Sequence, residues 1–174
     1  MRLALALAVC CLTAGCLGLG GGPADPTGTL QFSVTNGDDR PYDVGLSVVP
    51  DEPTGVAFTY ANGTTRQRPI GDLTGVSPAA LTNVTDVRLL GANVTTETFR
   101  VPADSGIGTT VDDVEPGASV WVVVRTTTGD SRVRAWAQFS CRRGTESVRG
   151  DLTITPDGAV AFQTTCGVDA TADG

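Results

Sequence analysis

The chain has no histidine, no lysine and no methionine beyond Met1. Without histidine, neither a Ser-His-Asp triad nor a Cys-His pair can be assembled. The usual zinc-enzyme and blue-copper centres lose their commonest ligand, and the side chain best suited to proton transfer near neutral pH is missing. A hydrolase here would have to work with carboxylates alone, and no acid pair is spaced to suggest which. Without lysine, all 12 basic residues are arginine, set against 19 acidic ones, for a net charge of −7. Such a surface repels phosphate backbones and excludes nucleic acid as a partner. Aromatic residues make up only 5% of the chain, and no stretch carries a long helical period. Residues 77–84 have room for one helical turn. No cofactor is expected.

An arginine-only, aspartate-rich acidic composition looks like a haloarchaeal proteome, where acidic surfaces keep proteins soluble by self-repulsion. A GC-rich genome also favours arginine over lysine.

The first residues form an export signal. Met1-Arg2 is a short positive start, Leu3 to Ala14 an uncharged apolar run, and small residues lead to Cys16. "TAGC" (Thr13 to Cys16) resembles a lipobox, the motif of lipoproteins cut before cysteine and lipidated on its thiol. It departs from the pattern at Thr13, where that family prefers leucine. The resemblance to archaeal lipoproteins covers the first twenty or so residues. It implies a signal peptide over 1–15, lipidation of Cys16 and a Gly/Pro-rich tether over 16–29. The protein is then expected at the extracytoplasmic face of the cell membrane, with the membrane as its partner through the lipid. Cys10 is a second, poorer cleavage site. An uncleaved anchor over 3–19 is at the lower length limit for spanning, and "GLGGG" would break it.

Residues 30–167 read as one all-β domain and 168–174 as a disordered tail. Period-two alternation puts Leu30, Phe32 and Val34 on one face, then Tyr42, Val44, Leu46 and Val48, then Val56, Phe58 and Tyr60. "DVRLL" and "TFRV" look like shorter strands. Ala118, Val120, Val122 and Val124 face inward on one later strand, and Val133, Ala135, Ala137, Phe139 and Cys141 on the next. Opposed partners then sum to an odd number, so the loop around Gly129 needs an even count, two or four residues. A second hairpin turns at Pro156–Gly158 and aligns Leu152 and Ile154 with Val160, Phe162, Thr164 and Cys166. Cys141 and Cys166 each close an inward stripe near a phenylalanine, which favours a disulfide over two buried thiols. Eight to ten short strands predict an antiparallel β-sandwich with Greek-key links. "VTNGDDRPYDVGLSV" and "VEPGASVWVVV" resemble stretches of Ig-like surface domains, which implies an Ig-like sandwich.

Three of the four asparagines, Asn62, Asn83 and Asn93, begin N-glycosylation sequons. The outward face of the hairpin over 118–141 carries Trp121 and Trp136, opposite or diagonal, beside Arg134. Exposed Trp and Arg together make a partner-binding surface for a surface protein or glycan. The alternative is that a second sheet, loop or tether covers the tryptophans. Arg142, Arg143 and Arg149 form a local basic island. Acid pairs at Asp38-Asp39, Asp51-Glu52 and Asp112-Asp113 match no calcium loop, so no metal is assigned. The expected function is a non-enzymatic surface lipoprotein with a structural, adhesive or ligand-binding domain. The alternatives are an accessory or solute-binding subunit of a surface complex and, last, the carboxylate-only hydrolase.

Overall fold

The computed structural model describes residues 27–50, 52–70, 82–91, 94–129, 131–141 and 147–167. Within them lie eleven strands and no α-helix: β1 (Gly28–Asn36), β2 (Tyr42–Val49), β3 (Gly55–Tyr60), β4 (Thr65–Pro69), β5 (Val84–Leu90), β6 (Thr95–Val101), β7 (Ser105–Val114), β8 (Ser119–Thr126), β9 (Val133–Ser140), β10 (Ser147–Ile154) and β11 (Val160–Gly167). They form three sheets, in the orders β11-β10-β1-β7, β6-β2-β8-β9 and β4-β3-β5. The first two make the expected sandwich. The third, smaller sheet packs on the outer face of the second and turns two layers into three.

The main core follows the alternation. Leu30, Phe32 and Val34 of β1 meet Val44 and Leu46 of β2, Val120, Val122 and Val124 of β8, and Leu152 and Ile154 of β10, all buried. Each fully buried side chain of this size contributes roughly 1.5–3 kcal/mol of transfer free energy. The phenylalanines expected beside the cysteines cluster as well: Phe139 and Phe162 lie 5.0 Å apart, and Phe32 and Phe162 6.4 Å. They close over Gly150, where an added Cβ would sit 3.0 Å from Phe32 and 3.3 Å from both other rings. A glycine in mid-strand here makes room for three aromatics.

Strand pairing is antiparallel except between β1 and β10, which run parallel. No hairpin constrains that pair, because Ser33 and the Asp151 opposite it are 118 residues apart. The β10–β11 hairpin has the expected register, with Leu152 opposite Phe162 and Ile154 opposite Val160. Its turn closes through Gly158 at φ 76°, a left-handed conformation suited to glycine. The β8–β9 hairpin keeps the expected odd-sum register from Ser119↔Ser140 to Val124↔Ala135. Its loop is longer than two or four residues, however, running from Thr127 to Arg132 between the two strands. A bulge between Val124 and Arg125 takes the last pair, Arg125↔Val133, out of that register.

Two devices hold the ends of the sandwich. Cys141, just after β9, is bonded to Cys166 on β11, with Cα atoms 5.8 Å apart. The disulfide therefore ties the second sheet to the first. At the β1–β2 turn, the buried Asp38 accepts hydrogen bonds from Arg40 Nη2 (2.9 Å) and from the Tyr42 hydroxyl (2.5 Å). Asn36 completes the turn: its amide donates to the carbonyls of Arg40 and Pro102 at 2.9 and 2.7 Å, and its Oδ1 accepts from the Asp38 N–H. The hydrogen bonds from Arg40 and then Tyr42 hold the Asp38 carboxyl well below the usual carboxylate range. Residues 77–81, where a helical turn was expected, lie outside the described residues, and Val84 belongs to β5.

Cys141→Ser or Cys166→Ser should destabilise the fold by about 3.5 kcal/mol on the chain-entropy model for a loop of this length. Equilibrium denaturation measures this, and an unchanged midpoint would contradict the structural role of the bridge. Because the folded-state pKa of Asp38 is depressed, its contribution is complete above the unfolded value, about pH 4. That contribution is lost as pH falls toward the depressed value. Asp38→Asn should accordingly flatten the fall in melting temperature below about pH 4. The same acid dependence in both proteins would count against it.

Candidate functional site

β8 carries an unbroken apolar run, Val120 to Val124, and its two faces meet different sheets. Val120, Val122 and Val124 enter the main core, whereas Trp121 joins a second core with Val49, Val56, Phe58, Val84, Val87 and Val133. Trp121 is 2% exposed. It stacks on Trp136 of β9 with ring centroids 5.3 Å apart and planes 10° from parallel. In the ladder Trp121 opposes Gln138 and Val123 opposes Trp136, so the tryptophans form a diagonal pair.

This corrects the expectation of an exposed Trp/Arg contact face. The tryptophans do share one face, but the β4-β3-β5 sheet covers it. Trp121 is core and Trp136 half-buried, while Arg134 remains exposed. The Trp121 indole N–H is buried and has no hydrogen-bond acceptor among the described residues. Leaving such a donor unpaired costs about 1–3 kcal/mol.

The third sheet covers only part of the middle one. Beside the tryptophan seam a trough of about 480 Å³ opens between β5 and the strands β2 and β6. Gly45, Ser47, Thr96 and Thr98 form its floor, and the Ser47 and Thr96 hydroxyls lie 2.7 Å apart. Val87, Leu89, Val94 and Val123 add apolar wall. Arg125 reaches across the seam from β8 to Asp86 of β5 at 2.6 Å. Arg88, on the same strand as Asp86, is exposed and has no ion pair among the described residues.

A second cavity, of about 640 Å³, lies at the end of the sandwich, lined by Asn83, Thr126, Thr128, Arg132, Arg134 and Gly158 among others. Arg134 and the sequon residue Asn83 are thus brought together. Asn62 sits exposed at the tip of the β3–β4 hairpin, its Oδ1 accepting from both the backbone N–H and the hydroxyl of Thr64. Asn83 is also exposed, at φ 68°, and its carbonyl accepts from the Ala61 N–H. Two sequons therefore occupy one end of the small sheet. Asn93, Cys16, Arg142 and Arg143 lie outside the described residues. Of the acid pairs, Asp38 is committed to Arg40 and Tyr42, and Asp112 and Asp113 are exposed on β7. Among the described residues no three His, Cys, Asp or Glu side chains gather as metal ligands.

The trough was missed in the sequence because its floor comes from β2 and β6 and its wall from β5, and no local motif links them. A signal for its seam did exist. The run "VWVVV" is apolar on both faces, which marks a strand buried on both sides.

The family model described as "Halobacterial Ig domain protein" matches residues 1–172, and the chain belongs to that family. The sandwich is accordingly Ig-like, in a haloarchaeal protein. No curated protein matches the chain. Two solved structures, described as "Trapped Toxin" and as the human-specific toxin intermedilysin, align over 79% and 80% of this chain and 23% of each of theirs. Their identities are 10% and 8%, and their TM-scores 0.35 and 0.32. The chain thus spans under a quarter of either, and the likeness carries no argument about function.

Trp121→Ala should cost about 3–5 kcal/mol by emptying the seam between two sheets. Trp121→Phe should cost much less, since it keeps a ring and removes an unpaired donor. Equal stability of wild type and Trp121→Ala in denaturant would return the residue to the surface.

Proposed function

We propose that this halobacterial Ig domain protein is a non-enzymatic lipoprotein of the extracytoplasmic membrane face, with Cys16 lipidated and the β domain held outside the cell. The observation that carries this reading is the Cys141–Cys166 disulfide between the two sheets. Such a bridge belongs to an oxidising compartment, and the chain starts with the apolar leader and "TAGC" that would deliver it there. Stable attachment takes more than one lipid chain. Cleavage before Cys16 removes Cys10 and Cys11, so no further thiol competes with the bridged pair. The Gly/Pro-rich stretch between Cys16 and β1 then serves as the tether. Asn62 and Asn83, exposed at one end of the small sheet, are suited to carry surface glycans.

A second reading, an accessory or solute-binding subunit of a surface complex, is favoured by one observation: the polar trough beside the tryptophan seam.

Intact-mass measurement of the membrane-extracted protein tests the anchor. The expected mass is that of a chain beginning at Cys16, plus lipid, less two hydrogens for the disulfide, with hexose-sized additions removed by Asn62→Gln or Asn83→Gln. Cys16→Ser should leave the chain uncut or release it from the detergent phase. A chain that still begins at Met1, without lipid, overturns the reading.

A further inference from the structure

We propose that the trough between β5 and the strands β2 and β6 binds an anionic saccharide, a hydroxyl-bearing ring that carries a carboxylate. The assignment rests on the reading of the domain as an extracytoplasmic, ligand-binding module. The volume, about 480 Å³, falls within the range of small-molecule sites.

Its chemistry is divided by strand. The floor presents three hydroxyls, Ser47, Thr96 and Thr98, suited to the hydroxyls of a sugar. The wall presents Val87, Leu89 and Val94, suited to the C–H face of a ring. The lining includes two arginines, Arg88 and Arg125, and one aspartate, Asp86. Asp86 is taken up by Arg125 at 2.6 Å, which leaves Arg88 as the lining cation without an ion pair among the described residues. A guanidinium grips a carboxylate through paired, charge-assisted hydrogen bonds. Contact geometry matters in strong brine, where the screening length shrinks to about 3 Å at 1 M salt. A ligand held only by a diffuse field would be lost there, while a hydrogen-bonded pair within a partly enclosed trough is not.

Gly45 keeps the floor open. A Cβ placed there would lie 3.5 Å from Arg125 Nη1, 3.6 Å from Thr96 Cγ2 and 3.9 Å from the Val123 carbonyl. These are ordinary contact distances, so alanine fits, whereas a branched side chain would project into the space the ring needs. The position thus supplies both a folding control and a plug.

The test is calorimetric titration of the detergent-solubilised full-length protein, in the salt at which it is folded, with glucuronate, glucose and inorganic phosphate. The expected result is saturable binding of glucuronate, with glucose and phosphate each weaker by about tenfold or more, the value of one charge-assisted hydrogen bond. Arg88→Gln should weaken glucuronate by a similar factor at unchanged melting temperature. Gly45→Ala should bind and Gly45→Val should not. No glucuronate binding, equal binding of glucose or phosphate, or full binding by Gly45→Val overturns the proposal. If Gly45→Val fails to fold, Arg88→Gln decides alone. Because the protein is extracted with its anchor in place, a failure to bind leaves the lipoprotein reading standing. A failure of the mass measurement says nothing against the trough.

Discussion

A sheet that is apolar on both faces must be covered twice, and the β6-β2-β8-β9 sheet imposes that condition on the rest of the molecule. One face packs on the β11-β10-β1-β7 sheet through valines, leucines and phenylalanines. The other carries Trp121, Val123 and Trp136, too much apolar area to leave in water. The β4-β3-β5 sheet exists as a lid for that second face, and its buried side chains, Val56, Phe58, Val84 and Val87, are those that meet the tryptophans. The lid stops short of β6, and the trough is what remains uncovered. Fold and candidate site thus follow from the same mismatch in width between two sheets.

Much of this was legible in the sequence because alternation survives wherever one side of a strand is dry. The faces assigned from Leu30, Phe32 and Val34 onward are those that pack in the structure, except at the end of β11, where Thr164 and Cys166 are exposed. β4 had no such signature: all five of its residues, "TRQRP", are exposed, so no hydrophobic period marks it. β7 alternates between half-buried and exposed residues, but glycine and threonine dilute Ile107 and Val111 below notice. The parallel partnership of β1 with β10 left no local mark, because no turn joins them. The tryptophans misled for a related reason. Parity places them correctly on one face, but it says nothing about whether that face is wet.

The disulfide and the Asp38 turn act at different joints. The disulfide joins the two large sheets at their β9 and β11 edges. Asp38, with Arg40 and Tyr42, locks the turn by which the chain crosses from the first sheet to the second. A buried carboxylate is tolerated because a guanidinium and a phenol both donate to it, so the ion is never without partners. Neither device touches the trough.

β1 emerges first of the domain's strands, yet one of its ladder partners is β7 and the other is β10, 118 residues downstream at Ser33 and Asp151. Until those later segments arrive, β1 has Val44 and Leu46 of β2 against its core face but no strand on either edge. A nascent chain would therefore have to stay open until β10 has emerged, and the first sheet can close only after that. A molecule truncated before β10 should in consequence be a target for proteases rather than a smaller version of the same fold.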